Sequence, residues 1–137
     1  MCIRLSYLPR RPKITKEKKL HNVRQGDIYY VDFPESVGSV QKGMRPVVIT
    51  QNNHLNRNST TYVCALITSQ IKRLDLKEHV LLPEIKGLPK RSMVMAEQRA
   101  TVDREQLLDY RGRLDQKTFS KVNRALRICE RAGRKTY

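Results

Sequence analysis

Asp27-Ile28-Tyr29-Tyr30-Val31-Asp32-Phe33, stopped by Pro34, and Arg45-Pro46-Val47-Val48-Ile49-Thr50-Gln51, reached after a glycine-bracketed polar loop, set the fold class of this chain. The first run is β-branched and aromatic, a composition that suits a pleated, half-buried surface. The second starts at an arginine whose following proline restricts the approach to the strand, and then turns apolar. Thr60 to Thr68 reads as a third strand, apolar enough along Val63-Cys64-Ala65-Leu66-Ile67 to be central and buried on both faces. Between the second and third strands, Asn52 to Asn58 is rich in turn residues and has room for one short helical turn. Shorter strands are expected at His79 to Leu82 and Arg91 to Met95, and a sixth at Glu97 to Thr101 running into Asp103.

Helices come last. Asp103 with Gln106 has the spacing of a capping box over a short helix. Asp115 can cap a longer helix reaching about Ala132, with Gly133 as its stop. Along it Phe119, Val122, Leu126 and Cys129 recur at three- and four-residue steps and form one apolar stripe, while Lys117, Lys121, Arg124, Arg127 and Arg131 fall away from it. The fold class is therefore mainly β with C-terminal helices: a small, strongly coiled antiparallel sheet or barrel closed at one end by helices.

At 137 residues there is room for one core. Twenty-eight Lys and Arg against 13 Asp and Glu give a net charge of +15, which points to a polyanionic partner. The longest apolar run, Tyr62 to Ile67, is far short of the roughly 20 residues that span a bilayer, and Met1 to Leu20 has no signal-peptide apolar region. A cytoplasmic location without membrane association is the expectation. Cys2, Cys64 and Cys129 are odd in number and widely spaced, which suits reduced packing thiols better than disulfides or a zinc site. Residues 1–22 form a basic arm interrupted by Pro9 and Pro12, residues 23–132 the folded domain, and residues 133–137 a basic tail. Because the folded pattern begins near Val23 and a valine codon can serve as a start, a native start there is one expectation.

The loop Gly38-Ser39-Val40-Gln41-Lys42-Gly43 delivers Arg45 to a strand end. Glycine permits close backbone approach to a ligand, and a guanidinium offers five donors in a fork suited to phosphate. Thr68-Ser69-Gln70 closes the third strand. If the second and third strands are antiparallel neighbours, Arg45 and Thr68 lie at one edge of the sheet, where a cation and a hydroxyl could stabilise charge on a phosphodiester. The residues alone leave open a structural ion pair for Arg45 and a turn-closing role for Thr68. Other constellations are missing: there is no Gly-rich phosphate loop with Lys-Ser/Thr, no His pair at helical spacing and no Cys-x-x-Cys, and His21, His54 and His79 are scattered. Metal-ligand spacing is likewise absent, so no metal or other cofactor is expected.

At these residues the chain resembles a known family. Asp27 to Phe33, Gly38-Ser39 with Gln41, Gly43 to Ile49, Ile67-Thr68-Ser69-Gln70 and Ala96-Glu97-Gln98 follow the order and spacing of the MazF/PemK toxins across about residues 23 to 131. The resemblance implies an SH3-like barrel shared with the gyrase poison CcdB. It also implies a homodimeric endoribonuclease of a type II toxin–antitoxin system, cutting single-stranded mRNA at short sequences and so inhibiting translation and growth. A cognate MazE-type antitoxin would occupy the RNA groove.

Carried over by position, the family's catalytic arginine and threonine fall on Arg45 and Thr68. Ser39 and Gln41 fall in a loop covering the RNA, Asn52 follows the second strand, and Gln98 lies where family members contact bases. Gln51, Ser69 and Gln70 add groups able to read splayed bases at the same expected sheet edge. Lys42, Lys72 and Arg73 suit phosphates, and Arg99 suits either role. One departure is Val40, where many members carry an acid after the loop serine. The implied reaction is metal-independent attack of a ribose 2′-hydroxyl on phosphorus. Two readings of other classes stay open: a noncatalytic basic RNA-binding barrel, and a gyrase poison acting through a protein partner.

Overall fold

The computed structural model describes residues 22–33 and 43–131. The basic arm, the loop positions Ser39, Val40, Gln41 and Lys42, the helix stop at Gly133 and the tail lie outside the described residues. The elements are β1 (Asp27–Phe33), β2 (Gly43–Ile49), α1 (Asn53–Asn58), β3 (Thr61–Thr68), β4 (His79–Leu81), β5 (Met93–Asp103), a 3-10 turn (Arg104–Gln106), β6 (Leu107–Arg113) and α2 (Gln116–Glu130). They form one antiparallel sheet in the order β4-β5-β3-β2-β1-β6.

Alternation along the strands builds two cores. Tyr29, Val31, Val47, Ile49, Tyr62, Cys64, Leu66, Met93 and Met95 project to one side, which the sheet encloses by curling. Ile28, Val48, Ala65, Ile67, Val94 and Ala96 project to the other, beneath Val122 and Ala125 of α2. Burial on both sides explains the nearly unbroken apolar run in β3. The Asp115 carboxylate accepts the Thr118 N–H at 2.7 Å and starts α2 where the sequence places it. In the first core, burial pushes the Cys64 thiol up to about 12, which leaves it a packing group rather than a nucleophile. At the sheet's far edge, buried Asp27 accepts from Arg113 Nε at 2.6 Å and ties β1 to β6.

Two expectations about strands are corrected. The segments Arg91 to Met95 and Glu97 to Thr101 form one strand, β5. Ala65 pairs with Arg99 and Leu66 with Met95, so Ala96, Glu97 and Gln98 form a bulge facing no β3 residue. The break in alternation that looks like a strand boundary is this bulge. The sixth strand is instead Leu107–Arg113, which the sequence reading leaves unassigned. It is an edge strand with exposed Asp109, Tyr110 and Arg111, so half its residues carry no apolar signal.

Candidate active site

In the β2–β3 ladder Val47 pairs with Leu66. Arg45, near the start of β2, and Thr68, at the end of the antiparallel β3, therefore lie at the same end of the sheet, Arg45 paired with Val31 of β1 and Thr68 with Met93 of β5. Gly43, with φ +88°, precedes them in the left-handed region that favours glycine, and this turns the chain into β2. Arg45 is half-buried, Thr68 is buried and Ser69 is exposed. All three line a cleft of about 170 Å³.

The opposite wall consists of residues that sequence reasoning missed. Tyr30 of β1, Leu88, Lys90 and Ser92 complete the lining. Lys90 and Ser92 arrive on the segment between β4 and β5, which is fixed in two ways. Leu88 is buried in the helix-side core, and Gly87 lies so close to Arg111 of β6 that an added Cβ would fall 1.9 Å from its carbonyl oxygen. Tyr30 carries the Arg111 guanidinium over its ring at 4.9 Å. No local signal marks Lys90 as a site residue, because its arrival depends on the crossing over β6.

The cleft thus presents Arg45 and Lys90 with the hydroxyls of Thr68, Ser69, Ser92 and Tyr30, and among the described residues no carboxylate is in its lining. The Thr68 Oγ1 accepts the Gln70 N–H at 3.1 Å, so its own hydrogen remains to be donated elsewhere. This donor set can bind a phosphodiester and stabilise negative charge developing on it.

The remaining candidates divide. Gln70 adjoins the cleft through its N–H. Lys72 and Arg73 follow on the exposed connection to β4, and the Arg73 fork is engaged by Asp75 at 3.0 Å through both Nε and Nη2. Asn52 does not share the edge with Arg45. It lies past the opposite end of β2, where its Oδ1 accepts the Leu55 N–H at 2.9 Å and caps α1. Gln51 is at that end too, bonded to Asn56, the Thr61 carbonyl and the Val63 N–H. Gln98 occupies the mid-sheet bulge. Arg99 turns to α2, donating to the Leu126 carbonyl at 3.0 Å and pairing with Glu130. The expected clustering of Gln51, Asn52 and Gln98 with Ser69 and Gln70 at one sheet edge is therefore corrected: the extended run of β2, Gly43–Ile49, separates its two ends, and Gln98 sits in the bulge within β5.

A larger groove of about 1060 Å³ runs between β4 and α2 and carries Lys77, Arg91, Lys117, Lys121 and Arg124 around Asp115, the one acid among the described residues of its lining. It extends the positive field beyond the cleft. Among the described residues, no helix is long and apolar enough to cross a membrane.

Comparison with known proteins accords with this geometry. Residues 24–129 match the family model described as PemK-like, MazF-like toxin of type II toxin-antitoxin system. The chain is 39% identical over 107 residues to the endoribonuclease EndoA of Bacillus subtilis, covering 77% of this chain and 92% of that protein. It is 37% identical over 107 residues to the endoribonuclease MazF of Staphylococcus saprophyticus, covering 77% and 89%. Its fold is similar to that of a mycobacterial endoribonuclease solved in complex with its cognate antitoxin, with a TM-score of 0.65 at 25% identity over 78% of this chain and 93% of that one. The MazF of Deinococcus radiodurans gives a TM-score of 0.67 at 19% identity, covering 79% and 96%. The chain belongs to the PemK-like, MazF-like toxins of type II toxin–antitoxin systems.

Proposed function

We propose that this toxin is a sequence-specific endoribonuclease that cuts single-stranded mRNA without a metal ion, and so blocks translation and growth. The observation that carries the reading is the convergence of Arg45, Thr68 and Lys90 on one cleft. A scissile phosphate seated there would be attacked at phosphorus by the adjacent ribose 2′-oxygen. The P–O5′ bond then breaks, leaving a 2′,3′-cyclic phosphate and a 5′-hydroxyl. Arg45 and Lys90 would balance charge on the phosphorane. Thr68, whose hydrogen is not used by Gln70, would donate to a phosphate oxygen. A guanidinium with a pKa above about 12 is a poor base near neutrality, so Arg45 acts as an electrostatic group.

Ser69 and Gln70 would read a base beside the scissile phosphate, and Ser39, Gln41 and Lys42, outside the described residues, are assigned to an RNA-covering loop by the family resemblance alone. Asn52, Gln98 and Arg99 would meet RNA only on a longer path across the sheet. The chain is expected to work as a cytoplasmic homodimer and to be inhibited by a MazE-type antitoxin; the structurally similar mycobacterial endoribonuclease was solved in complex with its cognate antitoxin.

The test is incubation of the purified protein with a long RNA in the presence of a chelator, followed by mapping of fragment ends. Cyclic phosphates at recurrent short sequences are expected, and a single 2′-deoxy substitution at a cut site should abolish cutting there. Salt-sensitive RNA binding with no fragments at any protein concentration would overturn the reading.

A further inference from the structure

His79 opens the edge strand β4, yet its side chain is only 5% exposed. Its Nδ1 lies 3.1 Å from the Lys72 carbonyl oxygen and 3.0 Å from that of Arg73, and its Nε2 lies 3.0 Å from Oε2 of Glu97. Carbonyl oxygens and ionised carboxylates only accept hydrogen bonds. All three partners are therefore satisfied only when both ring nitrogens carry hydrogen, as in the imidazolium. Burial works against that charge, but the Glu97 carboxylate and the two carbonyls outweigh it and raise the pKa above that of an ordinary histidine.

The ring joins two segments, one of which leads from the cleft. Glu97 stands in the β5 bulge. Lys72 and Arg73 belong to the connection that leaves Thr68, passes Ser69 and Gln70 and returns to β4. Arg73 holds φ +52°, a left-handed conformation that side chains rarely adopt, and its carbonyl also accepts the Leu76 N–H at 3.1 Å. A strained turn of this kind needs a tie. At its near end the connection donates the Gln70 N–H to Thr68 Oγ1.

We propose that His79 is a positioning residue for RNA cleavage: as an imidazolium it ties the Lys72–Arg73 turn to Glu97, and so holds Gln70 against Thr68. This rests on the endoribonuclease reading above. The Gln70 N–H occupies the Thr68 oxygen and leaves its hydrogen for the phosphate. A neutral ring has one hydrogen and must release either the turn or Glu97. The tie is complete below the ordinary histidine range and is lost as pH rises through the raised value. Asp75 of the connection acts on the ring, and the groove that His79 lines also holds Lys77 and Arg91 flanking β4, and Asp115, Lys117, Lys121 and Arg124 at and in α2.

Two measurements test it. In single-turnover cleavage across about pH 5 to 8 and above, His79→Gln should lower kcat roughly tenfold at the acid end with KM within about twofold. The ratio of wild-type to variant rate should fall toward one as pH rises. Glu97→Gln, which keeps an acceptor but not the charge, should shift the wild-type transition to lower pH. On the unaltered protein, nuclear resonance should show protons on both ring nitrogens at neutral pH and a Gln70 amide shift that follows the ring titration. A pH-independent ratio, or a Gln70 amide indifferent to the ring, overturns the proposal. Absence of RNA cleavage by the wild-type protein would instead overturn the functional reading, since the resonance experiment reads the tie without substrate.

Discussion

Gly87 rests on the backbone of Arg111, with space for no side chain between them: an added Cβ would lie 1.9 Å from the carbonyl oxygen and 2.7 Å from the carbonyl carbon. The contact carries Leu88 and Lys90 from the helix side of the sheet to the cleft that holds Arg45 and Thr68. Gly87→Ala should cost about 1–3 kcal/mol of stability through overpacking. It should also lower cleavage, because Lys90 moves back with its segment. Denaturant unfolding read beside cleavage rate checks both, and wild-type values for the two together would show that the crossing is not tight.

Arg45→Ala and Thr68→Ala should each reduce kcat by about 10² to 10³, the usual cost of removing one donor to a developing anion. The double variant should be little worse than either single one, since both act on one phosphate. Circular dichroism and unfolding midpoints should stay close to wild type for Arg45→Ala. Thr68→Ser, which retains the hydroxyl, should keep most of the activity.

Lys90→Ala should weaken RNA binding at all sequences alike and reduce the salt slope of binding by about one, as expected of a phosphate contact. Binding isotherms at several salt concentrations measure this. An altered cleavage sequence with an unchanged slope would instead mark Lys90 as a base reader.

Asn52→Ala should destabilise the fold by about 0.5–2 kcal/mol, because its Oδ1 caps α1. Its effect on cleavage should be small beside that of Thr68→Ala. A large loss of RNA affinity with unchanged stability would restore Asn52 to the RNA path. The comparison separates a capping role from a binding role at a position where the sequence pattern permits both.

Much of the fold is legible because its signals are local. β1 and β3 carry uninterrupted apolar or aromatic runs, Asp115 caps α2, and Asp103 with Gln106 forms the expected capping box. The bulge at Ala96 to Gln98 breaks alternation without ending β5, so one strand reads as two. β6 is an edge strand whose exposed residues resemble a loop.

The chain itself determined β1 to β4, the capped helices and the placement of Arg45 and Thr68 at one end of the sheet, since antiparallel neighbours bring the start of one strand to the end of the next. Only the tertiary structure decided what joins them. Lys90 reaches the cleft because Gly87 can cross β6. Asn52 is held as the cap of α1 past the far end of β2, and Arg99 is turned to α2 by the Leu126 carbonyl and Glu130. His79, one of three scattered histidines in the sequence, comes to lie between Glu97 and the Lys72–Arg73 turn. Periodicity and turn chemistry act over a few residues and are written locally. Contacts between distant segments depend on strand order and chain crossing, which no local pattern encodes.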